Sequence, residues 1–596
     1  MMNLNDYRDL LDLATKSLSA VTTEMRVELL GVPKEADMTI LYNLCMTSQG
    51  VSYSEDVLKN RIAETLAMKR EYMAQIKATR VLPEDALWDP AGEDEYEKEL
   101  ATLRIRDAAN VDAKCLRQLI VYGLKGVALF AAQAYEIGYE DEGISPFLQR
   151  VLQRTLKFNL SVGLLFNLAM EVGGFGYRAM GLLDKAASEA YGVPEITNIE
   201  LGVRKKPGIL ISGSGISELE TLLRQTEGTG VEVYTHGEML PVHTYPKFKH
   251  VDHFAGNYGG SVKTQAADFA SFNGPVVVAG DGLLPPEEAY KDRLFTASPV
   301  NYPGVTILPT SDEGETDYSE VIKLAKTCEP PAELRKGELI AGFAHEQLFK
   351  MLDVVEGALN DGSIERMVAV IGSDSDSETE QYYTDLAGKL PKNSAILTAG
   401  SVAYRMMNQN LGTVHGLPRL MVTGQLTDMY SIAMVALKLQ ADLEKYDINA
   451  VPISYLVSLD DEKSVCALLA LTYVGAKNIL IGPAMPDFMT ENIASVFQKN
   501  FGTKTIGSVD EDVEGMFAKR VQTGEGEPID MDMLIVDILE RYPGSAEVLM
   551  NCGMSCITCG AALYESLAEA CMVHGLDPED VKEVLDHELG LVSDDD

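Results

Sequence analysis

The sequence predicts a multidomain α/β protein, with an N-terminal helical domain over 1–205, two parallel-sheet α/β domains over 206–345 and 346–522, and a small all-α domain over 529–592. Three observations carry this reading. Apolar residues recur at three- and four-residue spacing through residues 1–200. Short β-branched runs alternate with helical segments from Lys206 onward. A Gly/Glu/Pro stretch, QTGEGEPID, then precedes a final helical segment that carries cysteines. At 596 residues the chain is too long for a single core.

The helical pattern is clearest in LNDYRDLLDLATKSL, VDAKCLRQLIVYGLKGVALFAAQAYEIG and VGLLFNLAMEVGGFGYRAMGLLDKAASEAYG, with loop signals such as GVPKEAD and WDPAGEDE between helices. The first strand series reads GILISGS, VEVYTHGE, HVDHFAGN and PVVVAGDG. The second reads MVAVIGSDSD, SAILTAGS, RLMVTGQL, ISYLVSLDD and NILIGPAMP. The terminal SDDD is a solvated tail.

Composition narrows the function classes. A net charge of -40, with no cluster of Lys and Arg, argues against nucleic acid and against an anionic membrane surface. The stretch Val121–Ala134 is interrupted by Lys125 and Gln133, so no transmembrane helix is expected. No signal peptide is read at the start, and eight cysteines, four of them between Cys552 and Cys571, are not a secreted disulfide framework. The expected compartment is the reducing cytoplasm. The oligomeric state is left open.

Parallel sheets bind ligands where their strands end. The residues just past each run are Ser214, His236 and Glu238, Asn257, and Asp281 and Gly282 in the first domain. In the second they are Ser373 and Asp374, Ser401, Gln425 and Leu426, and Asp460, Asp461 and Lys463. Taken singly these are ordinary turn and cap residues; jointly they mark a cleft. His236, His243, His250 and His253 crowd one segment without HExxH spacing, so hydrogen-bonded loop histidines are expected over metal ligands.

The segments NVDAKCLRQLIVYGLKGVALFAAQAYEIGY, PEITNIELGVRKKPGILISG, LLRQTEGTGVEVYTHGEMLP, FKHVDHFAGNYGG, FASFNGPVV, YYTDLAGKLPKNSAILT and DINAVPISYLVSLDDEKSV resemble the hybrid-cluster protein family, also called prismane or hydroxylamine reductase proteins. The resemblance runs from about Asn110 to about residue 518. It implies two Rossmann-like domains after the helical one, and an Fe–S–O cluster held by one His, two Glu and four Cys. Carried across, the His position is Ser214, the first Glu is Glu238, and the Cys positions are Gly282, Ser373, Ser401 and Leu426. The second Glu is Asp461, with a nearby Lys kept as Lys463. The family's other cluster uses an N-terminal cysteine group, whereas here only Cys45 precedes Cys115.

Iron–sulfur clusters need thiolate sulfur, so the resemblance leads to the expectation that none of the family's clusters is bound. What remains is oxygen-rich. Glu238, Asp281, Asp374 and Asp461 are the candidates for a hard cation, should they converge. Residues 529–592 resemble a small redox-disulfide module with the hallmark GMSCITCG, in which Cys556 and Cys559 form C-x-x-C at the start of the helical stretch ALYESLAEACMVHG. Metal binding by Cys552, Cys556, Cys559 and Cys571 is the alternative. C-x3-C-x2-C also matches a radical-SAM loop, which does not belong in a helical tail. Cys45, Cys115, Cys328 and Cys466 are read as buried thiols. The expected function is binding of a small molecule or a redox protein partner, linked to thiol chemistry. The alternatives are an active hydroxylamine- or nitric-oxide-reductase-type oxidoreductase with a remodelled metal site, and a structural or regulatory subunit.

Overall fold

Helices Leu4–Val27, Lys34–Met46, Glu55–Met73, Tyr96–Ala108, Val111–Glu136, Ile144–Thr155 and Val162–Tyr191 build the N-terminal region of this computed structural model. The structure describes residues 2–48, 51, 53–77, 82–108, 110–297, 300–311, 314–374, 377–407, 409–445, 447–483, 485–517, 529–542, 544–554, 565–589 and 591. Helix starts follow local chemistry: Asn3, Ser54, Asn110 and Ser161 each accept a first-turn backbone N–H through the side chain.

Val111–Glu136 is long and apolar enough to cross a membrane, yet its most apolar window is 89% buried inside the protein. Its Lys125 donates to Asp12 at 3.0 Å and to the Thr47 carbonyl at 2.9 Å. It is a core helix.

Another lysine of this region is buried and donates to the backbone carbonyls of Ala86 and Trp88: Lys69, 2% exposed. Burial lowers its ammonium pKa to about 8. A depressed lysine contributes stability that is fully present above its unfolded value and lost as pH falls through the folded one. Between pH 8 and 10 the wild type should therefore gain on Lys69→Met, by up to about 3 kcal/mol. Parallel denaturant titrations across that range check this; equal slopes for the two proteins would refute it.

From Lys206 onward two open parallel sheets form. The first has the spatial order Phe254–Asn257, Glu232–Thr235, Gly208–Gly213, Val276–Ala279, Leu294–Ala297, Thr306–Ile307. The second runs Leu420–Gly424, Ser394–Ala399, Arg366–Ile371, Ile453–Val457, Leu480–Ile481, Lys504–Thr505. Central strands such as Gly208–Gly213 and Ser394–Ala399 are buried at every residue, as strands covered on both faces must be. An antiparallel pair, Thr197–Glu200 with Glu338–Ala341, clasps the chain on either side of the first sheet.

Residues 1–513 form one compact unit. The largest apolar core joins the first helices, from Tyr7 to Ala186, with the second sheet and its helices, from Phe343 to Phe501. The expected border at 205 falls between elements and the one at 345 inside the helix His345–Phe349; the first sheet keeps cores of its own, whereas the helical region and the second sheet share one. Glycines explain the fusion. The helix Glu462–Tyr473 lies against Val111–Glu136 and Val162–Tyr191, and a Cβ on Gly126 would sit 2.5 Å from Cys466 Cβ. At Gly173 a Cβ would collide with the Leu469 carbonyl oxygen.

Residues 514–596 form a second unit. In it, Ile535–Arg541, Ser545–Asn551, Leu567–His574 and Pro578–Glu588 pack around Ile538, Leu549, Leu567 and Leu585. The helix expected to start beside the C-x-x-C pair begins at Leu567, capped by Ser566. Cys556 and Cys559 themselves lie outside the described residues. Cys571 is a core residue, its Sγ 3.8 Å from Met554 Sδ. Of the four isolated cysteines, Cys45, Cys115 and Cys466 are buried as expected, while Cys328 is only half-buried.

Candidate functional site

Both sheets reverse strand order at an internal crossing. In the first it lies between Gly208–Gly213 and Val276–Ala279, in the second between Arg366–Ile371 and Ile453–Val457. Such crossings open a crevice at the carboxyl ends. Here the two crevices merge into one cavity of about 210 Å³. Ser212, Gly213, Asp281 and Gly282 line it from the first crossing; Ser373, Asp460, Asp461 and Lys463 line it from the second. His236, Gly237 and Glu238 enter from the neighbouring strand end, and Gln265 and Leu129 complete the wall.

Lys463 organises the charge. Its ammonium lies 3.1 Å from Glu238 Oε2 and 2.9 Å from Asp281 Oδ2, and all three side chains are at least nine-tenths buried. Burial alone would discharge the lysine, but Asp281, Glu238 and Asp461 hold its pKa above the ordinary lysine range. Burial also raises Glu238, which Lys463 opposes. Ser214, buried behind this triad, donates to Asp281 Oδ1 at 2.8 Å and accepts from Gln133 at 3.0 Å. The Asp461 side chain accepts the Ser464 backbone N–H at 2.7 Å, capping the helix that carries Lys463.

His236 is fully buried, with Nε2 3.2 Å from Asp268 Oδ2 and Nδ1 3.0 Å from Ser212 Oγ. Burial acts to raise Asp268, but the His236 contact, Thr264 Oγ1 and the Gly260 N–H hold it below its ordinary value. The chain of contacts fixes the turn that presents Glu238. Ser212, Asp268, Gln265 and Gln133 were not singled out by the sequence: Ser212 closes its strand just before Ser214, which was chosen in its place, and the other three lie on helices.

Several expected site residues lie elsewhere. Ser401 reaches only a small adjoining void that it shares with Glu238, and Gln425 donates to the Glu238 carbonyl at 2.9 Å. Leu426 is fully buried in the apolar core. Both Ser401 and Leu426 follow strands one or two places away from the crossing. The four-carboxylate cation site does not form: Asp374 turns to Arg405, 2.8 Å away, and Lys463 sits between Glu238 and Asp281. The other histidines make ordinary contacts. His243 stacks on Phe254 and bonds Thr235, and His253 bonds Thr226. Asn257 accepts from Thr235 at 3.1 Å.

A family model described as "Prismane/CO dehydrogenase family" matches residues 2–514, and one described as "Domain of unknown function (DUF1858)" matches 529–582. "Hydroxylamine reductase" of Thermoanaerobacter pseudethanolicus is 40% identical, over 85% of this chain and 94% of its own length. "Hydroxylamine reductase" of Desulfitobacterium hafniense is 42% identical, over 85% and 93%. Among solved structures, carbon monoxide dehydrogenase IV from Carboxydothermus hydrogenoformans matches with TM-score 0.52 at 14% identity, covering 86% of each chain. Another, described as "NiZn[Fe4S4] and NiNi[Fe4S4] clusters in closed and open alpha subunits of acetyl-CoA synthase/carbon monoxide dehydrogenase", matches with TM-score 0.55 at 13% identity, covering 93% of this chain and 85% of that one.

Two expectations are corrected by these matches. The relationship does not begin near Asn110: the first hundred residues lie inside the family match. The expectation that the family's Fe–S clusters are absent from the chain is also overturned, since the chain falls in a family with cluster-bearing structural neighbours. What the cavity itself shows is narrower. Among the described residues its lining offers alcohols, carboxylates, the His236 imidazole, the Gln265 amide and an ammonium but no thiolate, a donor set that does not fit an Fe–S cluster at this position. That says nothing of a cluster held by cysteines elsewhere. With 513 residues matched end to end by one family model (2–514) and relatives above the level at which families are recognised, this chain belongs to the Prismane/CO dehydrogenase family, as a hydroxylamine-reductase-like member.

Proposed function

We propose that the cavity binds a small, cationic or donor-rich polar molecule of the hydroxylamine class. The observation that carries this is the charge of its wall. Glu238, Asp281 and Asp461 face it, against the single ammonium of Lys463. A buried carboxylate surplus favours a ligand that donates hydrogen bonds or carries positive charge. The volume of about 210 Å³ suits such a ligand with a few waters. The names of the relatives, hydroxylamine reductase, point to the same chemical class. The C-x-x-C spacing of Cys556 and Cys559 supports a thiol–disulfide couple in the last domain, as part of the same reading.

Ligand-observed NMR with the full chain tests the binding. A ligand of two heavy atoms gains at most about 3 kcal/mol, so affinity in the millimolar range is expected. Asp281→Asn should weaken it about tenfold, the loss of one charge-assisted hydrogen bond. Saturation transfer that persists unchanged in Asp281→Asn would remove the cavity from consideration.

A second reading, an active oxidoreductase of the hydroxylamine reductase type, is favoured by the 40–42% identity across 93–94% of the relatives' length. Ammonium release from hydroxylamine by anaerobically purified protein, with iron measured on the same sample, separates the two readings.

A further inference from the structure

Away from the cavity, helix Val162–Tyr191 meets the short helix His345–Phe349, and three side chains with metal-ligating atoms converge there. Asp184, His345 and Glu346 each bring one such atom within 4.8 Å of the others. His345 Nδ1 lies 3.8 Å from Asp184 Oδ1 and 3.4 Å from Glu346 Oε2. An ion about 2.1 Å from each of three tetrahedral ligands separates them by roughly 3.4 Å, so little adjustment is required.

Three further observations point to a missing cation. Among the described residues neither carboxylate has an ion pair with a lysine or arginine; both lie beside the imidazole, with the buried Asp428 a further carboxyl close enough to feel them. Glu346 Oε2 is buried and takes no hydrogen bond, which is costly unless something else meets it. The imidazole is itself held in place: the backbone N–H of His345 donates to Ser431 Oγ at 3.0 Å, and that hydroxyl lies 3.3 Å from Nδ1. Phe349 and Tyr430 pack edge-on against the ring at 5.4 and 5.7 Å. The single Nδ1 lone pair can accept the Ser431 proton or ligate an ion, not both, so an ion bound at Nδ1 requires the Ser431 hydrogen to turn away from the ring, while Ser431 Oγ still accepts the His345 N–H.

We propose that Asp184, His345 and Glu346 bind a divalent cation of the Zn²⁺ class, with water completing the coordination. One nitrogen and two oxygens suit a borderline ion better than Ca²⁺ or Mg²⁺, which prefer all-oxygen sites. The ion joins the N-terminal helical region to the segment that follows the first sheet, and bridging two parts of the fold makes its role structural.

The test uses the full chain, stripped with chelator and titrated with Co²⁺ as a spectroscopic stand-in, then with Zn²⁺ by calorimetry. One Co²⁺ with visible d–d bands and no thiolate charge-transfer absorption is expected. Asp184→Asn and His345→Ala should each weaken binding by more than about a hundredfold, beyond the usual loss for an outer-sphere partner. Zn²⁺ should raise the unfolding temperature of the wild type and not of these variants. Affinity unchanged in both variants, Co²⁺ bound only through thiolates, or no binding at all would overturn the assignment. Should His345→Ala fail to fold, the near-isosteric Asp184→Asn and Glu346→Gln carry the comparison, with circular dichroism confirming the fold.

Discussion

Replacing Lys463 by methionine should destabilise the first unit by about 3–5 kcal/mol, the usual result of removing one partner from a buried ion pair. The cause is specific. Glu238 and Asp281 lie 3.1 and 2.9 Å from the lysine ammonium and are themselves buried. Without the cation, two carboxylates face each other across a cavity already lined by Asp460, Asp461 and Glu462. Glu238, which burial already pushes up, relieves the strain by taking up a proton once the lysine that opposes that shift is gone. A raised carboxylate contributes stability below its unfolded value and loses it as pH climbs through the folded one. The defect in Lys463→Met should therefore be largest at neutral pH and shrink toward pH 5. Urea titrations of both proteins at pH 5 and 7.5 decide it; a penalty that is the same at both values would mean the lysine acts by packing alone. Adding Glu238→Gln to the lysine variant should restore part of the loss, since it deletes one of the stranded charges.

The second large effect is steric. Gly173→Ala should cost about 3 kcal/mol, the upper part of the range for overpacking a filled core. A methyl group at Gly173 collides with the backbone carbonyl of Leu469, which cannot swing aside as a side-chain tip could. The helix Glu462–Tyr473 must shift, and Lys463 sits in its first turn. The substitution should thus weaken ligand binding as well as stability, although Gly173 does not line the cavity. Gly163→Ala is the internal control: its added methyl would meet nothing within 4 Å. Equal thermal midpoints for the two variants would show that the helix contact is not tight.

Much of the site was legible because parallel strands end in loops that share one edge. Glu238, Asp281, Gly282, Ser373, Asp461 and Lys463 were all named from that rule and all line the cavity. Ser214 was named too, but its hydroxyl supports Asp281 from behind. Ser401 and Leu426 obeyed the same local pattern and were carried elsewhere, since strand-end chemistry cannot say which strands lie beside a crossing, and Asp374, although at the crossing, turns to Arg405. The His236–Asp268 contact was invisible for another reason: its two residues belong to a strand end and a helix, and neither announces the other. The same holds for Asp184 and His345, whose meeting depends on a helix from the first region reaching past an entire sheet.

By itself the sequence determined the succession of helices and strands, the polar residues that close each strand, and the family relationship, because periodicity, capping and turn chemistry act over a few neighbouring residues. Only the tertiary structure decided that two crossings share one cavity, that the Lys463 ammonium lies between Glu238 and Asp281, and that glycines let one helix fuse two expected domains into a common core. Those outcomes depend on sheet order and on distances between segments hundreds of residues apart, and no local pattern encodes a distance of that kind.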